Sequence, residues 1–417
     1  MKGITVMKRK ALSAAVLAAS LVGLSACSSD SAGSGSDSVE TVTIGSVHPL
    51  SGSLAGVGGL MNDGAKMAVE DINAAGGIES LGGAQLELLD GDSQGEAQVG
   101  QSEAQRLISD GAVALVGTYQ SDVTQNVASV AERSDVPFVI DVAVDDKILE
   151  QGYKNTFRIQ PDASSMGQAG AQALVAMGEE TGEPIDSAAY IHIEGAFGDS
   201  VFAAFKEEAE KQGITITKEI TYSGSNFSDA TTQVSEALAG NPDIIAVTGY
   251  YPDNLLVAKA VGSMANDTKA VFGIASGAFD DTSFPAAAGD AGTEVLSANY
   301  HYSATSDRAA DIRARFEEKY GKPMETASML SYQAVEVIAE GLEESGSDDP
   351  EELRDAIAGL SLEDPLLAFD GPIEFGEDGQ NENATVIVMQ VLDGKVEQVF
   401  PQEFATAELV FPTGSGN

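Results

Sequence analysis

Few side chains in this chain of 417 residues can make or break bonds. There is one cysteine, Cys27, and there are three histidines, His48, His192 and His301. A zinc centre needs clustered His, Cys or carboxylate ligands, and neither an HExxH pair nor a second cysteine supplies them. No GxxxxGK[ST] loop is present to cradle phosphates, and no GxSxG elbow to expose a nucleophile. Gly273 to Gly277, GIASG, places its serine one position late. The pairs Asp145-Asp146 and Asp280-Asp281 read as solvated turns or helix starts in so acidic a chain. What remains is the chemistry of grip. GTYQS at Gly117 to Ser121 offers Tyr119, Gln120 and Ser121, EGAFG at Glu194 to Gly198 offers Phe197, and GYYPD at Gly249 to Asp253 offers Tyr250. Hydroxyls, an amide and aromatic rings suit a small ligand with a polar and an apolar part. No catalytic residue, cofactor or metal is expected.

These loops must be held by a scaffold, and the hydropathy pattern supplies one. Val42 to Val47 reads as a strand, and Met61, Ala65, Ala68, Val69 and Ile72 recur at helical spacing until Gly76-Gly77 stops them. Strands at Leu86 to Leu89, Val113 to Val116 and Pro137 to Ile140 alternate with helices at Ala97 to Ile108 and Thr124 to Arg133. The rhythm restarts with strands at Ala188 to Ile193, Ile214 to Ile220, Ile244 to Val247 and Val271 to Ile274. Helices at Val201 to Gln212, Asp229 to Leu238 and Leu255 to Met264 lie between them. Long helices follow at Ala309 to Tyr320, Ser328 to Glu344 and Glu351 to Leu360. The last strands include Thr385 to Leu392 and Val396 to Phe400, joined by the hairpin signal Asp393-Gly394. Such βαβα order predicts parallel sheets covered by helices on both faces, used twice. The grip loops then fall at the carboxyl ends of strands, where open α/β sheets bind ligands.

The N-terminus gives an address. Lys8, Arg9 and Lys10 precede an apolar run from Ala11 to Leu24 that ends in Ser25, Ala26 and Cys27. Leu24-Ser25-Ala26-Cys27 resembles the lipobox of bacterial lipoproteins, which implies a leader over residues 1–26 and a lipid on the Cys27 thiol. Residues 27–40 are small and polar, as a flexible tether is. The expected location is extracytoplasmic, anchored to the cell membrane through the lipid. Formal net charge is -43, and loss of the four leader cations leaves 18 basic against 65 acidic residues, a net of -47. That sign repels phosphate backbones and argues against nucleic acid as a partner.

Six blocks then carry a resemblance: PLSG at Pro49 to Gly52, GAKMAVEDINAAGGI at Gly64 to Ile78, RLISDGAVALVG at Arg106 to Gly117, QGYKNTFR at Gln151 to Arg158, FGDS at Phe197 to Ser200 and GYYPD at Gly249 to Asp253. Together they resemble the leucine/isoleucine/valine-binding protein family, the extracytoplasmic receptors of branched-chain amino acid ABC transporters. The resemblance implies an α/β fold of the periplasmic binding protein type I kind, with two doubly wound lobes joined by three hinge crossings near Pro161, Asn299 and Thr385. Lobe 1 would comprise residues 41–161 plus 300–384, and lobe 2 residues 162–299 plus 385–412. It further implies a small-molecule ligand closed between the lobes and delivery to ABC permease subunits in the membrane. A ligand-sensing lipoprotein that feeds a membrane signalling receptor is the alternative.

Carried over residue by residue, the family's pocket serine falls on Ser121, with Tyr119 and Gln120 beside it, and its aromatics on Phe197 and Tyr250. The backbone groups and threonine that hold an α-amino acid fall on Val142, Ala143 and Val144, where the hydroxyl is absent. The acid that neutralises the ligand's ammonium falls on Ala275. Burying an ammonium without its carboxylate is costly. This points toward a carboxylate or neutral polar ligand, unless Asp141 or Asp145 restores the negative charge.

Overall fold

The structure, a computed structural model, describes residues 39–224 and 227–413. Cys27, the leader and nearly all of the tether lie outside the described residues. Among those described, no helix is long and apolar enough to cross a membrane.

The first lobe opens with β1 (Thr41–His48), α1 (Ala55–Ala75), β2 (Gln85–Asp92), α2 (Ala97–Ser109), β3 (Ala114–Gly117), α3 (Ser121–Arg133), β4 (Phe138–Ile140) and β5 (Thr156–Arg158). Its five strands lie in the order β2-β1-β3-β4-β5 and are all parallel. β3 (ALVG) and β4 (FVI) are buried along their whole length, as strands covered on both faces must be.

The second lobe follows with α4 (Ala163–Thr181), β6 (Ser187–Ile193), α5 (Ala196–Lys211), β7 (Thr215–Tyr222), α6 (Thr231–Leu238), β8 (Ile244–Thr248), α7 (Tyr251–Ser263), β9 (Ala270–Ile274), α8 (Phe284–Ala288) and β10 (Leu296–Asn299). The chain then returns to the first lobe. α9 (Asp307–Tyr320) and α10 (Thr326–Ser345) pack on α1, α10 also covers β3 and β4, and α11 (Pro350–Ala358) packs on α10. A small antiparallel pair, β11 (Ser361–Leu362) and β12 (Ile373–Glu374), precedes the hairpin of β13 (Ile387–Leu392) and β14 (Lys395–Phe400). The hairpin joins the second sheet, whose order is β14-β13-β10-β9-β8-β6-β7. The turn residues Asp393 and Gly394 have φ of 50° and 75°, the primed-turn geometry that their types favour.

The chain therefore passes between sheets in the segments 159–162, 300–306 and 375–386. The first and third are bonded to each other. Gln380 Nε2 donates to the Gln160 carbonyl at 2.8 Å, and Asn381 Nδ2 to the Ile159 carbonyl at 2.8 Å. The buried Arg158 donates from Nε to Gln380 Oε1 at 2.7 Å and from a terminal nitrogen to the Asp145 carbonyl at 2.9 Å.

Some elements depart from expectation, among them the unexpected α8 and β11. α4 and the short strands β5 and β10 are additional, and α5 begins at Ala196 instead of Val201, which places Phe197 on the helix's first turn. α4 is rich in glycine and alanine (ASSMGQAGAQALVAMGEET), so small residues blur its apolar stripe. Those residues let it approach α5 closely: a Cβ on Gly167 would stand 2.6 Å from the Phe205 nitrogen and Val201 oxygen.

Gly64 is the corresponding contact in the first lobe. A Cβ there would meet the Ser328 carbonyl oxygen at 2.1 Å, so α1 and the start of α10 touch backbone to side-chain-free backbone. Gly64→Val is expected to cost about 1–3 kcal/mol through overpacking and to lower the melting temperature measured by circular dichroism, whereas Gly56→Val, which has open space around it, should change it little.

Candidate functional site

A cavity of about 370 Å³ lies between the lobes. Its walls are the starts of helices: Gly56 and Val57 of α1, Ser121 of α3, Phe197 of α5, Tyr251 and Pro252 of α7, and Thr326 to Ser328 of α10. For α1, α3, α5 and α7 the repeated strand-to-helix order creates this convergence, since each parallel strand delivers its chain to the same edge of its sheet, whereas α10 follows α9. The first turns of these helices carry N–H groups without helical partners and the positive ends of the helix dipoles.

Eight of the residues expected in the pocket line it: Tyr119, Ser121, Val142, Ala143, Val144, Phe197, Tyr250 and Ala275. Gln120 is the exception. It occupies the position before α3, its amide lies against Gly95, and it is not part of the wall. Tyr119 of the first lobe and Tyr250 of the second have ring centroids 5.4 Å apart, and Phe197 stacks on Tyr250 at 5.4 Å. The two lobes thus meet through an aromatic ladder. Their contact continues where the Asp122 carboxylate accepts from Ala196 N–H and where Ser200 Oγ donates to Asp146 Oδ2 at 3.3 Å.

Several expected donors and acceptors are already engaged. Ser121 Oγ accepts from Asp145 N–H at 3.3 Å, Ala143 N–H donates to the Thr118 carbonyl at 3.2 Å, and the Ala143 carbonyl accepts from Gln160 Nε2 at 2.8 Å. Ala275 sits at φ 51°, the left-handed region, at the turn that leads out of β9. Its neighbour Ser276 spends its hydroxyl inside the loop, where it accepts from Asn254 Nδ2 at 2.8 Å.

Asp141 and Asp145 do not supply the charge missing at Ala275, because neither lines the cavity. Asp141 is buried against His48 Nε2 at 2.7 Å and Ser331 Oγ at 2.6 Å, and Asp145 Oδ2 accepts from Gln125 Nε2 at 2.5 Å. Ser46 Oγ lies 2.9 Å from His48 Nδ1, which gives a serine, histidine and aspartate in line. All three are fully buried and the Ser46 hydroxyl donates to Asn62 Oδ1 at 2.7 Å, so the trio holds the core instead of attacking a substrate.

Acidic side chains do line the cavity at other positions, with carboxyls that burial pushes toward the neutral form. Asp280 and Asp281, read as a solvated turn, line the cavity, and so does Glu325 from the first lobe. Asp280 is only 9% exposed and accepts from Asn299 Nδ2 at 2.8 Å. Burial pushes its carboxyl up to about 8. Burial, and then the nearby negative charge of Asp281, push Glu325 up to about 7, and burial also raises Asp281. Position after the β9 strand was the available signal for the Asp pair. Glu325, which precedes α10, comes from a separate part of the chain and had none.

The periplasmic binding protein family model matches residues 41–395. The chain is 30% identical over 380 residues to a protein named Leu/Ile/Val-binding protein homolog 8 from Brucella abortus, a match covering 89% of this chain and 93% of that one. Among solved structures it is similar to the branched-chain amino acid transporter substrate binding protein LivJ from Streptococcus pneumoniae in complex with isoleucine. That match has a TM-score of 0.75 at 23% identity and covers 89% of this chain and 100% of the other. A solute binding protein of an ABC transporter from R. palustris, in complex with benzoate, matches with a TM-score of 0.73 at 20% identity over 86% and 95% of the two chains.

The raised carboxyls set a sign for stability. Asp280 binds its proton more tightly folded than unfolded, so its contribution to stability is full below the ordinary Asp value of 3.8 and is lost as pH rises through about 8. The ligand-free protein is therefore expected to melt at a higher temperature at pH 5 than at pH 8. Asp280→Asn should raise the melting temperature at pH 8 more than at pH 5; equal shifts at both would contradict the assignment.

Proposed function

The chain belongs to the periplasmic binding protein family, and from that premise we propose that it is the extracytoplasmic substrate-binding component of an ABC importer. It captures an amino acid, or a related small organic acid or amide, between its lobes and delivers it to the membrane permease. The observation that carries this reading is the cavity itself: one space of about 370 Å³ walled by loops of both lobes, with an aromatic ladder across it and helix starts around it. Helix N-termini favour the anionic end of such a ligand, and the rings of Tyr119, Tyr250 and Phe197 favour an apolar or planar body. The relatives' names and the bound isoleucine and benzoate of the similar structures fit the same size of ligand.

In this reading lobe 1 is residues 41–161 plus 300–384 and lobe 2 is residues 162–299 plus 385–412, a division supported by the membership of the two sheets. The ligand site comprises Tyr119, Ser121, Val142 to Val144, Phe197, Tyr250 and Ala275, with the newly found acids beside them. Ligand shifts the lobes toward the closed arrangement, and the permease reads that arrangement. Lipid on Cys27 and the tether of residues 27–40 keep the receptor near its partner, which raises its effective concentration there.

Mass spectrometry of the protein before and after mild denaturation should release a small molecule from the cleft. Tyr250→Ala is expected to weaken calorimetric binding of that molecule about tenfold or more, roughly 1.4 kcal/mol, with an unchanged circular dichroism spectrum. An unaltered affinity would remove Tyr250 from the site. Small-angle scattering should show a smaller radius of gyration with ligand than without it; identical curves would argue against lobe closure.

A further inference from the structure

The acids of the cavity wall already have partners, and one of those partnerships crosses between the lobes. Asp280 accepts from Asn299 Nδ2 at 2.8 Å. Asp281 Oδ1 accepts from Ser283 N–H at 2.8 Å and from Ser283 Oγ at 2.5 Å. These bonds lie within the second lobe. Glu325 differs. It stands just before α10 of the first lobe, and a single residue of the second lobe takes both of its oxygens: Oε2 accepts from Thr282 N–H at 3.2 Å, and Oε1 from Thr282 Oγ1. Thr282 follows Asp281 in the chain, so the bond that joins the lobes also draws the half-buried carboxyls of Asp281 and Glu325 toward one another.

The surroundings do not cancel their charge. Among the described residues no ion pair of 4.0 Å or less joins Asp280, Asp281 or Glu325 to a Lys, Arg or His. Lys322 lines the cavity but is exposed. Arg313 acts on Glu325 from a distance, with its guanidinium 3.6 Å from the centroid of the Tyr302 ring. His301 is buried and neutral, since burial pushes its imidazole down to about 3. Tyr251, bonded to Ser283 Oγ at 2.9 Å, lies near both carboxyls as an uncharged phenol, and Asp280 adds a third acid close enough to feel the other two.

Two carboxylates drawn together out of water repel, and burial disfavours the charge of each. A proton relieves both costs. Protonated Glu325 keeps one oxygen to accept from Thr282 N–H and turns the other into a donor, which Asp281 or Thr282 Oγ1 can accept. In the arrangement observed, burial and then the charge of Asp281 push Glu325 up to about 7, and burial raises Asp281 as well. When the lobes part, the clasp opens and the two carboxyls return to water.

We propose that Glu325 is a positioning residue for lobe closure: with Thr282 and Asp281 it forms an interlobe clasp that takes up a proton as the cleft closes, so that closure is favoured at acid pH and weakens toward neutral pH. This rests on the reading of the chain as a two-lobed receptor that closes, and adds what governs the closing. Glu325 acts on the lobes and not on the ligand, because both of its oxygens are occupied by Thr282. The closed arrangement binds the proton more tightly than the open one. Its advantage is therefore full below the ordinary Glu value of 4.5 and is lost as pH rises through about 7. Within that window one shared proton changes the ratio of closed to open molecules by up to about tenfold per pH unit. Asp122, which accepts from Ala196 N–H across the lobes, is also raised by burial and adds to the effect in the same sense.

Small-angle scattering of the ligand-free protein at pH 5, 6, 7 and 8 tests this without a ligand. The wild type is expected to have a smaller radius of gyration at pH 5 than at pH 8. Glu325→Gln, which mimics the protonated side chain, should stay compact at pH 8 and so reduce that difference by at least half. Thr282→Val removes the hydroxyl donor at an exposed position and changes no titratable group. It should expand the protein at pH 5, and it keeps the test usable if Glu325→Gln fails to fold. Equal radii at pH 5 and pH 8 in the wild type, an undiminished difference in Glu325→Gln, or a Thr282→Val protein as compact as wild type at pH 5 would overturn the inference. Compaction by ligand at constant pH would then still uphold the receptor reading. If neither pH nor ligand changes the radius, lobe closure falls as well.

Discussion

The buried contact between His48 and Asp141 is the constraint around which the first lobe's half of the site is arranged. His48 closes β1, Asp141 follows β4, and Ser331 of α10 bonds the same carboxylate oxygen that His48 does. Each partner leads to a cavity wall: the chain from His48 reaches it at Ser53 and Leu54, Val142 to Val144 continue from Asp141, and Thr326 to Ser328 lie one turn before Ser331. All three are fully buried, where a carboxylate without hydrogen bonds would be untenable. The pairing therefore fixes the relative positions of two strand ends and a helix that are far apart in sequence. Removing one partner strands the other, which is why such a contact is more restrictive than a patch of apolar packing. Gly64 completes the arrangement by letting α1 touch the first turn of α10.

The second lobe needs no such knot because its loops are braced through its own turns. Ser276 caps the loop after β9 through Asn254, Ala278 and Phe279, and Asn299 reaches back from the end of β10 to the Ser276 carbonyl and Asp280. Each lobe is thus internally rigid near the cavity. The freedom left to the molecule lies in the segments between the sheets, two of which are held together through Gln160, Gln380 and Asn381. A pinned pair of connections restricts the lobes to a hinge-like motion, which is what a cleft that closes on its ligand requires.

Much of this was legible because period and strand order are local properties. The alternation of apolar runs with helical stripes identified β1, β3, β4, β6, β8, β9 and the helices between them, and the Asp393-Gly394 turn identified the last hairpin. α4 escaped because glycine and alanine carry little hydropathy contrast, and β5 and β10 because three or four residues make no period. The aromatic and serine positions of the cavity were readable as residues after strands. Gln120 was not, since a helix cap turns successive side chains in different directions and only Tyr119 and Ser121 face inward. The loss of an acid at Ala275 could be seen in one loop, but the arrival of Glu325 could not. Glu325 reaches the cavity from a helix start some 50 residues further on, in the other lobe.

Burial, more than net charge, decides what the acids of this protein do. Of the chain's 65 acidic residues, those that line the cavity among the described ones are Asp280, Asp281 and Glu325. The exposed ones are hydrated and, beyond a screening length of about 8 Å in physiological salt, contribute little to one another or to a bound ligand. The same groups inside the cavity lose water, which favours their neutral form, so they differ in kind from the hydrated carboxylates of the surface. An overall charge of -43 therefore says little about the ligand. What faces the cavity is a local set of side chains: carboxyls from both lobes, the rings of Tyr119, Tyr250 and Phe197, and the first turns of several helices.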